Sequence, residues 1–191
     1  MNDEDPMRDA VLRAMLPHVA RLGWTPAALS AGLRDAGQPA AAGAGLFPRG
    51  MPGVVAQFAM LADREMVAAA GPLEGLRTPA RIRALILARL AWLEPWRDAE
   101  RRAVGLLALP WNAAAGGAIL ARTADSLWLA AGDDSTGFSR HSKRVTLGSV
   151  YAATLAFWLR DPAPAPGATA AFLDRRLDQV AQLGRRLRRT T

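Results

Sequence analysis

Residues 119–161 constrain this chain more than any other stretch. Two apolar segments meet there at a short polar elbow, Gly132-Asp133-Asp134-Ser135-Thr136-Gly137. The stretch holds two of the six Trp, the only Tyr (Tyr151), the only Lys (Lys143) and one of the two His. In its second segment Leu147, Val150, Tyr151, Leu155, Trp158 and Leu159 recur at helical spacing, while Val145, Phe157 and several Ala cover much of the remaining circumference. A helix apolar nearly all round lies centrally, lines a cavity or forms a subunit interface. The first segment supplies Ile119, Leu120, Leu127 and Trp128 as its partner face. Small residues at 113–117, 152, 153 and 156 either leave room for a ligand or let helices approach closely, and the pattern leaves both open.

The remaining residues read as helices built around that pair. Asp5 with Pro6 suits an N-cap and first helical position, and Val11, Leu12, Met15, Val19 and Leu22 follow on one face. Pro17 interrupts this helix and is expected to kink it. Gly23 stops it, and Thr25 with Pro26 restarts the chain as a second helix ending at Ala36-Gly37. Residues 38–50 form an Ala/Gly-rich third element. A fourth helix runs from Pro52 to about Ala70, and a fifth opens at Thr78-Pro79. In the fifth, Ile82, Leu85, Ile86, Leu90 and Leu93 face the core, with Arg81, Arg83 and Arg89 elsewhere on the helix. A sixth spans about 98–109, and Asn112 is placed to cap the seventh. A ninth helix runs from Ala168 to about Leu187 and ends in a cluster of Arg. No segment sustains the two-residue alternation of a half-buried strand, so the chain is all-α with about nine helices.

Several chemistries are excluded. Without Cys there is no thiolate metal site, iron–sulfur cluster or cysteine nucleophile. Two His and scattered acids make no metal constellation, and Gly-rich phosphate loops, nucleophile elbows and dinucleotide fingerprints are missing. Ser135-Thr136 reads as helix capping. The expectation is a non-enzyme with no catalytic residues, metal or cofactor. The net charge of +7 is carried almost wholly by Arg and permits attraction to nucleic acid or an anionic membrane. The N-terminus is acidic and polar, so no targeting signal is expected. The apolar run at 150–159 is about half of the ~20 residues a spanning helix needs.

A family resemblance rests on specific runs. Ala14-Met15-Leu16-Pro17-His18-Val19 with Gly23-Trp24, Leu46-Phe47-Pro48 and Leu107-Ala108-Leu109-Pro110 carry its first half. Arg122-Thr123-Ala124-Asp125, Trp128, Ala131-Gly132-Asp133, Ser135-Thr136, Lys143-Arg144, Val150-Tyr151 and Phe172-Leu173 carry the second. Together they resemble the accessory lipid-binding protein of ubiquinone biosynthesis, the ninth coenzyme Q biosynthesis protein family. The resemblance implies a tetracycline-repressor-like fold, with residues 5–50 as a degenerate helix-turn-helix and 51–191 as a lipid-binding, dimerising body. It implies binding of isoprenoid lipids or quinone intermediates, presentation of substrate to a di-iron demethoxyubiquinone hydroxylase, and a homodimer. The family's Asp-Phe-Asn-Trp-Tyr run after Ser135-Thr136 is replaced here by Gly137-Phe138-Ser139-Arg140-His141. Eukaryotic members continue into an amphipathic membrane-binding helix, so a bacterial-type member is expected, cytoplasmic and peripheral to the inner membrane.

Within that frame the expected lipid-binding residues are Leu120, Leu127, Trp128, Leu147, Tyr151, Leu155 and Trp158. Asp125, Asp133, Arg140, His141 and Arg144 form the expected partner surface. Arg185, Arg186, Arg188 and Arg189 are the expected contacts to an anionic membrane. The rival class is a DNA-binding regulator that also takes a small apolar ligand. Its recognition segment would be residues 38–46, which contain no Arg or Lys and only Gln38 to read a base. Nucleic acid is therefore not an expected partner.

Overall fold

A computed structural model describes residues 5–133, 137–161 and 165–189, with side chains for all of them except 137–140 and 183–189. Arg140, Arg185, Arg186, Arg188 and Arg189, and the capping role read for Ser135-Thr136, lie outside the described residues. The described residues form nine α-helices and two 3-10 turns, and no strand. They fall into two compact units: Met1–Arg64 with Trp92–Ile119, and Glu65–Ala91 with Leu120–Thr191.

The first unit opens with α1 (Pro6–Leu22). The Asp5 carboxylate accepts from the Met7 and Arg8 amides, and Pro6 starts the helix. The helix runs on through Pro17 to Gly23, whose positive φ of 69° ends it. Thr25 caps α2 (Pro26–Asp35) through the Ala28 amide. These two helices pack at Gly32, where an added Cβ would lie 2.7 Å from the Met15 Cβ and 2.9 Å from its Cα. Only glycine lets the backbones come this close. The third helix, α3 (Ala42–Leu46), is five residues long, and Arg8 Nε of α1 donates to its Leu46 carbonyl at 3.0 Å.

Helix α4 (Gly50–Ala69) contributes Phe58, whose ring stands between Trp24 and Trp92 with centroids 5.2 and 6.1 Å away. The Trp24 indole donates to the Ala99 carbonyl of α6 (Arg97–Leu107). A 3-10 turn, Pro110–Asn112, then leads into α7 (Ala113–Ala130). Asn112 does not serve α7 with its side chain as expected. Its side-chain amide reaches back 2.9 Å to the Leu106 carbonyl near the end of α6, which also accepts from the Leu109 N–H at 3.4 Å.

The second unit contains most of α5 (Thr78–Leu93), the rest of α7, α8 (Gly137–Arg160) and α9 (Ala168–Arg189). Its buried side chains include Ile82, Leu85, Ile86 and Leu90 of α5, Ala124 and Leu127 of α7, the stripe Leu147, Val150, Tyr151, Trp158 and Leu159 of α8, and Leu173 of α9. Phe157 of α8 stacks on Phe172 of α9 at 4.4 Å between centroids. Arg83 of α5 holds Asp174 of α9 with two hydrogen bonds, 2.6 and 3.2 Å.

Candidate functional site

The expected ligand-binding residues converge on the α7–α8 hairpin of the second unit. Helix α7 ends in a Schellman turn: the Asp133 amide bonds the Trp128 carbonyl, and the Gly132 amide bonds the Leu129 carbonyl. Gly132 has φ 81°, and a Cβ there would meet Arg81 Nη1 at 3.0 Å. Arg81 Nη1 donates to the Ala131 carbonyl at 3.2 Å and Nε to the Leu76 carbonyl at 2.8 Å. The C-terminal end of α7 is thus fixed both by its own backbone and by Arg81 of α5.

Charged and aromatic pairs then zip the two helices together. Lys143 Nζ lies 2.6 Å from Asp133 and 5.4 Å from the centre of the Trp128 ring. Arg144 pairs with Asp125 and lies 3.8 Å from Asp133. Farther along, Gly148 of α8 faces Leu120 and Ala124, where a Cβ would make ordinary 3.7 Å contacts. The pairings 128 with 143, 125 with 144 and 120 with 148 descend one helix as they ascend the other, which is the signature of an antiparallel pair.

The hairpin carries two polar features inside its apolar surface. Arg89 of α5 is among the fully buried side chains, 2% exposed, and its Nη1 donates to the Tyr151 hydroxyl at 2.5 Å. Its guanidinium carbon also stands 5.1 Å from the Tyr151 ring centroid. Sequence reasoning placed Arg89 off the core face because of its charge. Its spacing says otherwise, since 82, 86, 89 and 93 fall on one helical stripe. The second feature is the Trp128 indole, whose Nε1 is buried with no hydrogen-bond partner among the described residues. A buried donor without an acceptor is costly and rare.

Of the residues expected to bind lipid, Leu127, Leu147, Tyr151 and Trp158 are buried, while Leu120, Trp128 and Leu155 are half-buried. Thr123 and Thr154 join the buried set and were missed; the Thr154 hydroxyl donates to the Val150 carbonyl, so it is buried without loss. Of the residues expected to meet a partner, Asp125, Asp133 and Arg144 are engaged with each other and Lys143, and the Asp133 side chain is 7% exposed. His141 is exposed. Beside it the hairpin presents two large apolar side chains to solvent, Leu129 and Val145. No cluster of three or more His, Asp or Glu able to hold a metal occurs among the described residues.

Residues 113–184, from the start of α7 through most of α9, match the model of the COQ9 family. The chain is similar to the mitochondrial ubiquinone biosynthesis protein COQ9 of Rattus norvegicus, 27% identical over 95% of this chain and 61% of that protein. The Homo sapiens protein of the same name is 26% identical over 95% of this chain and 59% of its own length. That of Drosophila melanogaster is 29% identical over 97% and 59%. The chain therefore spans about three fifths of the length of these relatives. Among solved structures it is similar to the TetR transcriptional regulator from Nitrosomonas europaea ATCC 19718, with a TM-score of 0.72 and 23% identity, covering 93% of this chain and 99% of that one. The fold is TetR-like.

Proposed function

We propose that this chain is a COQ9-type, non-catalytic lipid-binding protein of ubiquinone biosynthesis. It binds an isoprenoid lipid or quinone intermediate at the α7–α8 hairpin and presents it to a demethoxyubiquinone hydroxylase. The observation that carries this reading is the family match over residues 113–184, which covers the hairpin and its packing partner α9. Two features of the hairpin support it. Trp128 offers a buried N–H that lacks an acceptor, and a quinone carbonyl or phenol oxygen is an acceptor of the right kind. Leu127, Leu147 and Trp158 supply the apolar surroundings that an isoprenoid chain requires.

In this reading residues 5–50 are the remnant of a helix-turn-helix and 51–191 the binding and dimerising body. The protein acts as a homodimer, in the cytoplasm and peripheral to the inner membrane, with Arg185, Arg186, Arg188 and Arg189 toward anionic lipid. The hydroxylase meets the hairpin tip around His141. There Leu129 and Val145 supply an apolar centre, and the Asp125–Arg144–Asp133–Lys143 network stiffens the surface beneath it rather than offering free charges.

The TetR-like fold raises a regulator as the second reading. Against it stands α3, the recognition position, which is five residues of Ala, Gly and Leu with no side chain able to bond a base edge. Native mass spectrometry of the purified protein with lipid extraction tests the main reading. Co-purified isoprenoid lipid, or uptake of added quinone, is expected. Neither being found would refute it, and a promoter-DNA shift that survives moderate salt would install the regulator instead.

A further inference from the structure

Residues 103–121 form the longest uncharged run in the chain, nineteen residues containing no Asp, Glu, Lys, Arg or His. In the first unit this run folds as the end of α6, the 3-10 turn Pro110–Asn112 and the first turns of α7. Such a run ordinarily goes to the core. Here Val104, Gly105, Ala108, Pro110, Trp111, Ala113, Ala114, Gly117 and Ala118 are all exposed. Trp111 at the apex is 77% exposed, and it is alone among the six Trp in facing solvent. The apex is held in place. Asn112 bonds the Leu106 carbonyl through its amide and the Leu109 carbonyl through its backbone N–H, and a Cβ added to Gly116 would come within 3.3 Å of Leu107.

A presented, rigid and uncharged wedge with one large amphipathic side chain needs an occupant. A protein partner or a second copy would be held mainly by Ala and Gly around a single Trp, a thin set of anchors. A bilayer surface asks less: an indole at the apex to enter the headgroup layer and no charge to desolvate around it. The flanking charge fits an anionic surface. Between Glu100, which is buried, and Asp125, every charged residue is an arginine: Arg101, Arg102 and Arg122. The nearest exposed acid, Asp98, is paired with Arg101. Among the described residues no single helix is long and apolar enough to cross a membrane, and the one pair that passes together by length and composition, Thr78–Leu107 with Pro110–Ala130, is bent by 95° at this wedge.

We propose that the α6–α7 bend is a membrane-docking wedge that inserts Trp111 into the headgroup region of an anionic bilayer. This contact is distinct from the quinone face of α7–α8 and from the C-terminal arginines. Flotation with vesicles of phosphatidylcholine alone or with one quarter phosphatidylglycerol separates them, using wild type, Trp111→Ser and a variant with Arg185, Arg186, Arg188 and Arg189 changed to Ser. Trp111→Ser is expected to lower the vesicle-bound fraction about tenfold while the protein still takes up quinone, the loss matching exposure of one large apolar side chain. Equal flotation of wild type and Trp111→Ser would overturn the wedge, whatever the arginine variant does. Because the chain lacks Cys, a nitroxide on Trp111→Cys labels one site. Its accessibility to oxygen should rise, and to a water-soluble nickel complex fall, when vesicles are added. An unchanged ratio, or a change of oligomeric state in Trp111→Ser without vesicles, would overturn the wedge as well.

Discussion

At the scale of single residues, Arg89 shows how an unlikely core residue is tolerated. A guanidinium taken out of water loses several kcal/mol of hydration unless its donors are met. The Tyr151 hydroxyl takes one of them and the Tyr151 ring face lies beside the charge. Tyr151→Phe should therefore destabilise the protein by about 1–3 kcal/mol by removing that acceptor. Adding Arg89→Met should recover part of the loss, and chemical denaturation of the two single variants and the double variant measures the coupling. Tyr151 was legible as a special residue, being the only Tyr in an apolar stripe. Arg89 was not, because charge was allowed to overrule periodicity.

A second residue-scale feature is the pair His18–Asp35, 2.5 Å apart, joining α1 to α2. The hydrogen bond from His18 holds the Asp35 carboxyl below its ordinary value of 3.8, against the opposing effect of desolvation. A depressed carboxylate stabilises the fold above its unfolded value, and that contribution disappears as pH falls through the folded one. The contribution of the Asp35 carboxylate is therefore full above its ordinary value of 3.8 and is lost as pH falls below it. Carbon-detected NMR titration should place Asp35 below 3.8 in the wild type and near it in His18→Ala. His18 was visible in the sequence only as a lone helical His, because its partner lies seventeen residues on, in another helix.

At the scale of elements, the caps were readable and the approaches between helices were not. Asp5-Pro6, Gly23 and Thr25-Pro26 mark the ends of α1 and α2 because capping is local chemistry. Pro17 interrupts no assigned helix: α1 continues past it to Leu22. Gly32 looked like an ordinary helical glycine, and its reason lies in Met15, seventeen positions earlier. Gly32→Ala should cost about 1–3 kcal/mol through overpacking against the α1 backbone, read as a lowered denaturation midpoint. The elbow makes a parallel case. Asp133 was expected to face a partner, yet its carboxylate lies beneath Lys143 and Arg144. Asp133→Asn should destabilise the hairpin by about 1–3 kcal/mol, with faster amide exchange at the end of α7 than elsewhere.

At the scale of the whole molecule, the all-α, TetR-like fold was legible from helical periodicity together with the runs shared with COQ9 proteins, and the match over 113–184 agrees with both. What periodicity could not resolve is whether the small residues of α7 serve packing or space. The structure answers for Gly116, where an added Cβ would lie 3.3 Å from Leu107, tighter than ordinary contact, so this position serves close packing. The uncharged bend at 103–121 was hidden for the opposite reason. Its composition reads as core, and only its position in the fold makes it surface.

The central claim is that a quinone oxygen completes the Trp128 donor in the α7–α8 hairpin. The most direct measurement is the affinity of the purified protein for a short-chain ubiquinone, compared between wild type and Trp128→Phe with thermal stability recorded for both. Removing an unpaired buried donor should leave stability within about 1 kcal/mol of wild type. Binding should weaken about fivefold, the equivalent of one hydrogen bond of ~1 kcal/mol. Equal affinity in the two proteins, or no binding by the wild type, would contradict it.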